Sequence, residues 1–262
     1  MKAVSLHDKS AIEKYLRQNT LIHLYELGDL DDFFWQYTTW YALKDAGQIK
    51  SLILLYSAFE PPVLLAISEN LPAMRDLLQS ILHLLPRRLY AHLSGDLSML
   101  LASHYKVNPY GLHFKMALAD KSRLDSVDTS EVAPLAEADL QELQTLYRVS
   151  YPGNSFDPRM LESGHFYGIR RDEKLVSVAG VHVYSPHYRV GVVGNVTTHP
   201  DYRGQGLGTA VCAKLCQQLL RTVECIGLNV KSDNASAVAS YKRLGFEVVG
   251  EYEECLLESK DI

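Results

Sequence analysis

Cysteine is scarce in this chain: four residues in 262, at Cys212, Cys216, Cys225 and Cys255. No pair is spaced C-x-x-C, which excludes the common zinc and thiol–disulfide motifs. Cys212 and Cys216 lie one helical turn apart and read as small apolar core residues; the set fits a reducing cytoplasm. An excess of positive charge is also lacking. The formal net charge is −5, with 11 basic and 12 acidic residues over 1–120 and 15 and 19 over 121–262. Nothing therefore favours nucleic acid or an anionic membrane as partner. No run of about 18 apolar residues occurs, which predicts no membrane span, and the start, Met1 to Asp8, has no apolar signal-peptide core. What remains is a chain with 47% hydrophobic residues, long enough for one or two domains with cores of their own.

What is present centres on one stretch, Asn195 to Thr209, which contains His199-Pro200, Arg203 and Gly204-Gln205-Gly206-Leu207-Gly208. A β-type run, Val190 to Val193, precedes it and a helical run, Ala210 to Leu220, follows. A strand, a glycine-rich turn and a helix start form an anion cradle, because the first helical N–H groups are unpaired and carry partial positive charge. Glycines let a phosphate approach without meeting a Cβ. The spacing is G-x-G-x-G, whereas the dinucleotide fingerprint requires G-x-G-x-x-G, and the lysine of a P-loop is missing. A tight turn that needs glycine for its backbone would leave the same trace.

A second pattern follows at Asn234-x-x-Ala237-x-x-x-Tyr241-x-x-x-Gly245-Phe246, after a strand over 226–230. Asn234 suits a helix N-cap and Gly245 a left-handed helix end. The pair of patterns in this order resembles the GNAT N-acetyltransferases, over roughly residues 130 to 257. The chain also resembles two-domain acetyltransferases with an FR47-like C-terminal domain, the group that includes the glycine N-acyltransferases.

The resemblance implies that an amine attacks the thioester carbonyl of acetyl-CoA, the cosubstrate, without a metal. It implies that Val196, Thr197 and Thr198 face the pantetheine arm, with Val196 N–H as oxyanion donor. Arg203, Gly204, Gln205, Gly206, Leu207, Gly208 and Thr209 would hold the pyrophosphate. Tyr241 would protonate the leaving sulfur and Asn234 would touch the ligand, although a packed aromatic and a simple cap fit these two positions as well. Many family members carry Glu near the position of Asn195, which cannot take a proton. The general base stays open among Glu162, His165, His182, His187 and a water chain. Tyr and Arg in 147–154 and 184–189 suggest a small amine bearing a carboxylate, unless the arginines are only solvated. An acceptor amine on a small molecule or a peptide is the expected partner, and the oligomeric state, monomer or homodimer, is open. A non-catalytic acyl-CoA-binding module is the alternative.

Along the chain, the periodicity predicts a mixed α/β fold. Helical spacing over 8–36 precedes strands at 38–43 and 49–56 around Asp45-Ala46-Gly47, a strand at 63–67, a helix at 74–85, a strand at 89–93, a helix at 97–105 and a strand at 112–118. The second half repeats this order, and Ala73 with Thr209, like Tyr105 with Tyr241, is separated by 136 positions. This suggests a tandem repeat of one fold. At that offset Ile67 to Pro72 replaces the glycine turn, and Glu69 would repel a phosphate. Residues 1–122 therefore read as a degenerate copy, 130–262 as the acetyltransferase domain, and the polar stretch 120–130 as the linker.

Overall fold

The computed structural model describes residues 1–260. In chain order its elements are β1 (Lys2–Ser5), α1 (Lys9–Leu16), α2 (Leu24–Gly28), α3 (Asp32–Trp35), β2 (Thr38–Asp45), β3 (Gln48–Tyr56), β4 (Val63–Ala66), α4 (Leu71–Ile81), β5 (Arg88–Leu93), α5 (Leu97–Leu101) and β6 (Tyr105–Leu118). They continue with β7 (Ala133–Pro134), α6 (Leu140–Ser150), β8 (Tyr167–Arg171), β9 (Lys174–Ser185), β10 (Val190–Thr198), α7 (Leu207–Leu219), β11 (Cys225–Lys231), α8 (Ala235–Arg243) and β12 (Phe246–Ser259). Short 3-10 segments join several of them, including Pro158–Ser163 and Pro200–Tyr202. The chain forms two compact units. One takes residues 1–115, the short piece 231–233 and the chain from Val249 onward; the other takes 116–230 and 234–248.

In the first unit the strand order is β1-β2-β3-β4-β5-β12-β6. The β2–β3 hairpin closes on Ala46 and Gly47, both at positive φ (47° and 82°), as a two-residue turn requires. Strands β4 and β5 run parallel, bridged by α4, whose start is capped by Asn70 accepting from Ala73 N–H. Helix α4 buries Ala73, Met74, Leu77, Leu78 and Ile81 against the sheet. Residues from the end of the chain complete this sheet: Glu253 to Glu258 of β12 pair antiparallel with Leu93 to Arg88 of β5. His23, Glu26, Asp29 and Lys115 are buried here, with Glu254 accepting from Tyr252 Oη at 2.7 Å and lying 3.4 Å from His92 Nε2 and 3.3 Å from His113 Nε2.

In the second unit the order is β11-β10-β9-β8-β7, with β10 and β11 parallel and the other pairs antiparallel. Helix α7 packs Val211, Cys212, Leu215, Cys216 and Leu219 into the core. Cys212 and Cys216 are thus core residues, as their spacing suggests. Gly245 ends α8 at φ +93°, and its carbonyl accepts from Ala119 N–H and Asp120 N–H.

The architecture is that of a tandem repeat, but the 136-residue offset holds only in part. It aligns α4 with α7, whereas Tyr105 opens strand β6 and Tyr241 sits inside helix α8. Helix α5 is shorter than α8, so the register slips after it, and the Tyr105–Tyr241 match is accidental.

Candidate functional site

The strand before the glycine turn is unevenly flanked. On one side β9 pairs with β10 from Val190 to Thr198. On the other, β11 is in register only from Val190↔Cys225 to Val193↔Leu228. Among the described residues, Gly194 to Thr198 have no registered partner on the β11 side. An extended ligand can pair there as an added strand would.

Two bulges flank this transition. Asn195 and Val196 both stand opposite Ala179, and His182 is the extra residue of β9 between the Val192 and Val193 pairs. The His182 ring lies against Gly194, where an added Cβ would come within 1.9 Å of it. A side chain at position 194 and this imidazole are mutually exclusive. Asn195 is buried, at 3% exposure, in the left-handed region at φ +53°. Its carbonyl accepts from Tyr147 Oη at 2.8 Å and its Nδ2 donates to Met160 Sδ at 3.3 Å. Its Oδ1 is buried with no hydrogen-bond partner among the described residues. Tyr147 is braced by Phe156, which meets Phe166 edge-on at 5.6 Å; burial pushes the Tyr147 hydroxyl well above the ordinary tyrosine range, so it is a fixed donor.

Val196 is half-buried on the bulge. Thr197 is buried and its Oγ1 donates to Ser150 O at 3.4 Å; Thr198 Oγ1 pairs with Ser177 Oγ at 2.9 Å. His199 caps the following turn, its Nδ1 accepting from Asp201 N–H at 3.3 Å. The Arg203 guanidinium folds back onto the strand end, donating to Thr198 O at 3.1 Å. Gly204 and Gly206 both have positive φ (78° and 79°), with open space where a Cβ would be. Gly206 is the N-cap of α7. Gln205 is exposed, and Leu207 is buried, so Leu207 can offer a ligand its backbone alone. Gly208 lies 3.3 Å, by its would-be Cβ, from Thr198 Oγ1. Thr209 Oγ1 meets Ser240 Oγ at 2.6 Å, tying the start of α7 to α8. The result is an open edge that runs into a glycine turn at a helix N-terminus, an arrangement suited to a thioester arm and a pyrophosphate.

On α8, Asn234 is a cap: its Oδ1 accepts from Ala237 N–H at 3.2 Å and from Ser236 Oγ at 3.2 Å. Tyr241 is half-buried, 6.0 Å from the Phe246 ring. Of the residues weighed as bases, Glu162 and His187 are exposed. The His165 ring lies tilted against Tyr184, 4.2 Å between centroids, and its burial holds it below the usual histidine range. His182 alone of the four lies on Gly194. In the 184–189 loop Arg189 pairs with Glu224 at 2.8 Å, a surface role. Sequence reasoning missed the Tyr147–Asn195 bond. Its trace was a tyrosine next to Leu146 and four residues after Leu143 on the buried face of α6, where a phenol needs a polar partner. Among the described residues no group of three His, Cys, Asp or Glu could hold a metal ion, and no helix is long and apolar enough to cross a membrane.

Residues 132–246 match the model of the Acetyltransferase (GNAT) family. A mycothiol acetyltransferase of Corynebacterium jeikeium is 49% identical over 63 residues, 23% of this chain and 18% of that protein. A ribosomal protein bS18-alanine N-acetyltransferase of Escherichia coli is 43% identical over 53 residues, 20% of this chain and 36% of that one. The matches span well under half the length of these curated relatives. In fold, a Drosophila protein superimposes with a TM-score of 0.73 at 12% identity, over 97% of this chain and 98% of its own. A tandem GNAT protein from the clavulanic acid biosynthesis pathway gives 0.54 at 14% identity, over 97% of each chain.

Proposed function

Because residues 132–246 match the GNAT acetyltransferase family model, we propose that the protein is an acyl-CoA-dependent N-acyltransferase that moves an acetyl group from acetyl-CoA to a primary amine. One observation carries the reading: β10 loses its β11 partner after Val193, and its open edge leads into the glycine turn that caps α7. Pantetheine would pair along 196–198. The pyrophosphate would sit on the N–H groups from Gly204 to Thr209, with Arg203 beside them. In this proposal 130–262 supplies the chemistry and 1–122 supports it. The cytoplasm is the proposed location, in keeping with cysteines whose spacing fits a reducing environment.

The chemistry follows from these positions. The amine nitrogen adds to the thioester carbonyl carbon while Val196 N–H donates to the developing oxyanion. The carbon–sulfur bond then breaks as the carbonyl re-forms, leaving an amide. The sulfur takes a proton from Tyr241 Oη, and the proton lost by nitrogen replaces it through water. Asn195 cannot act as a base; His182, against Gly194, is the side chain best placed to take that proton first and release it to the water that reprotonates Tyr241.

The test is thiol release from acetyl-CoA across amino acids, polyamines, aminoglycosides and peptide N-termini. Turnover with one class, reduced on the order of 100-fold in Tyr241→Phe, supports the transferase with Tyr241 as acid. Coenzyme A binding by calorimetry without turnover on any amine would favour the competing reading, a binding module, which the lack of a carboxylate at position 195 keeps in view.

A further inference from the structure

Asn195 combines three features that each cost stability. A non-glycine residue at φ +53° is strained. The bulge it occupies interrupts the β9–β10 ladder. Its Oδ1 is buried without a partner, where nearly all buried polar atoms have one. A glycine would relieve the first and third of these and leave the bulge intact. The surroundings hold the asparagine in this state. Tyr147 Oη fixes its carbonyl, and the His182 ring on Gly194 fixes the residue before it.

The side chain also stands at the one stretch of β10 with no registered partner on the β11 side. The residue that carries this unpartnered acceptor thus belongs to the strand segment along which the thioester would pair. We propose that Asn195 is the amine-orienting residue of the site: its Oδ1 accepts one N–H of the incoming amine and aims the nitrogen lone pair at the thioester carbonyl. The assignment rests on the transferase reading. It needs no proton transfer to Asn195, because a primary amine keeps an N–H to donate before and after the new N–C bond forms. It also explains an amide where a carboxylate would repel an acceptor that carries its own carboxylate. Met160 Sδ accepts from the amide's Nδ2 at 3.3 Å, and its unbranched thioether can adjust as the amine enters.

Asn195→Gly is the discriminating variant, since it suits the left-handed backbone and deletes only the amide. The expected result is an unchanged or higher melting temperature, unchanged coenzyme A affinity by calorimetry, and kcat/KM for the amine lowered about 10- to 100-fold. Asn195→Asp keeps an acceptor and should recover most of that loss for amines without a carboxylate. Amine kcat/KM equal to wild type in Asn195→Gly would overturn the assignment and leave Asn195 a backbone residue. If Asn195→Gly fails to fold, equal losses in Asn195→Asp and Asn195→Ala overturn it in the same way. Thiol release by the wild-type protein tests the underlying reading separately: a silent wild type removes both, an active one with an indifferent Asn195→Gly removes only this inference.

Discussion

Tyr147 and Asn195 stand 48 residues apart in the chain and are joined by one hydrogen bond, hydroxyl to carbonyl, at 2.8 Å. The bond links helix α6 to the bulge of β10, so the helix helps to set the shape of the strand at that point. Tyr147→Phe keeps the ring packed on Phe156 and removes only the hydroxyl. The buried Asn195 carbonyl then loses its donor, which costs about 1–3 kcal/mol. Urea unfolding should show a lower midpoint with an unchanged slope, and turnover should fall about tenfold as the bulge loosens. An unaltered midpoint would mean that the bulge holds itself.

Gly206→Glu tests the cradle. The site of the new side chain is open, so the cost of folding is the strain of a left-handed residue, about 1–2 kcal/mol. A carboxylate at a helix N-cap is itself favourable and offsets part of that. Calorimetry should find coenzyme A affinity reduced at least about 100-fold, as the carboxylate competes for the N–H groups and repels the pyrophosphate. Binding at wild-type strength would move the pyrophosphate elsewhere.

His92 gives the first unit a pH-dependent element. Burial is the main cause that holds its pKa down to about 4 against an ordinary 6.5, with Glu254 opposing and Lys115 assisting. The unfolded chain takes a proton near pH 6.5, which the folded chain refuses until about pH 4. The contribution is therefore complete above pH 6.5 and lost as pH falls through that window, by about 2 kcal/mol at pH 5. Glu254 acts in the same sense: burial alone would raise its pKa, but His92, His113 and the hydroxyls of Tyr90 and Tyr252 together lower it. Asp29 acts oppositely, since burial raises it. His92→Gln isolates one group. Its urea midpoint should fall less than that of wild type between pH 7.5 and 5; parallel curves would rule out a titrating His92.

The thiols should be quiet. Burial pushes Cys212 and Cys255 up to about 12 and Cys216 higher still, while Cys225 is only half-buried. A chromogenic disulfide reagent should label at most one thiol of the native protein within minutes and all four in urea. Two or more fast thiols would indicate an opened α7 core.

Much of this site is legible in sequence because it is local. A strand, a glycine turn and a capped helix are written within 15 consecutive residues, and α8 with its Asn234 cap and Gly245 end within 12. The bulges are not legible, since one additional residue in a strand of Val, Gly and Asn leaves no periodic trace. The end of β10–β11 pairing at Val193 is a property of two strands more than 30 residues apart. Tyr147 reads as part of a Tyr-rich substrate loop until its hydroxyl is seen to turn inward. The 136-residue offset misleads at Tyr105 because the first unit's counterpart of α8 is shorter, a length difference invisible to a residue-by-residue match.

The pairing of β12 with β5 also fixes an order of events. Leu89, Ala91 and Leu93 are synthesised early, yet the strand that pairs with theirs comes after residue 248. On the ribosome, the first unit keeps an unsatisfied strand edge until nearly the whole chain described here has emerged. Cutting the chain after residue 248 would therefore injure the unit at the opposite end of the sequence, leaving β5 exposed to pair with another molecule.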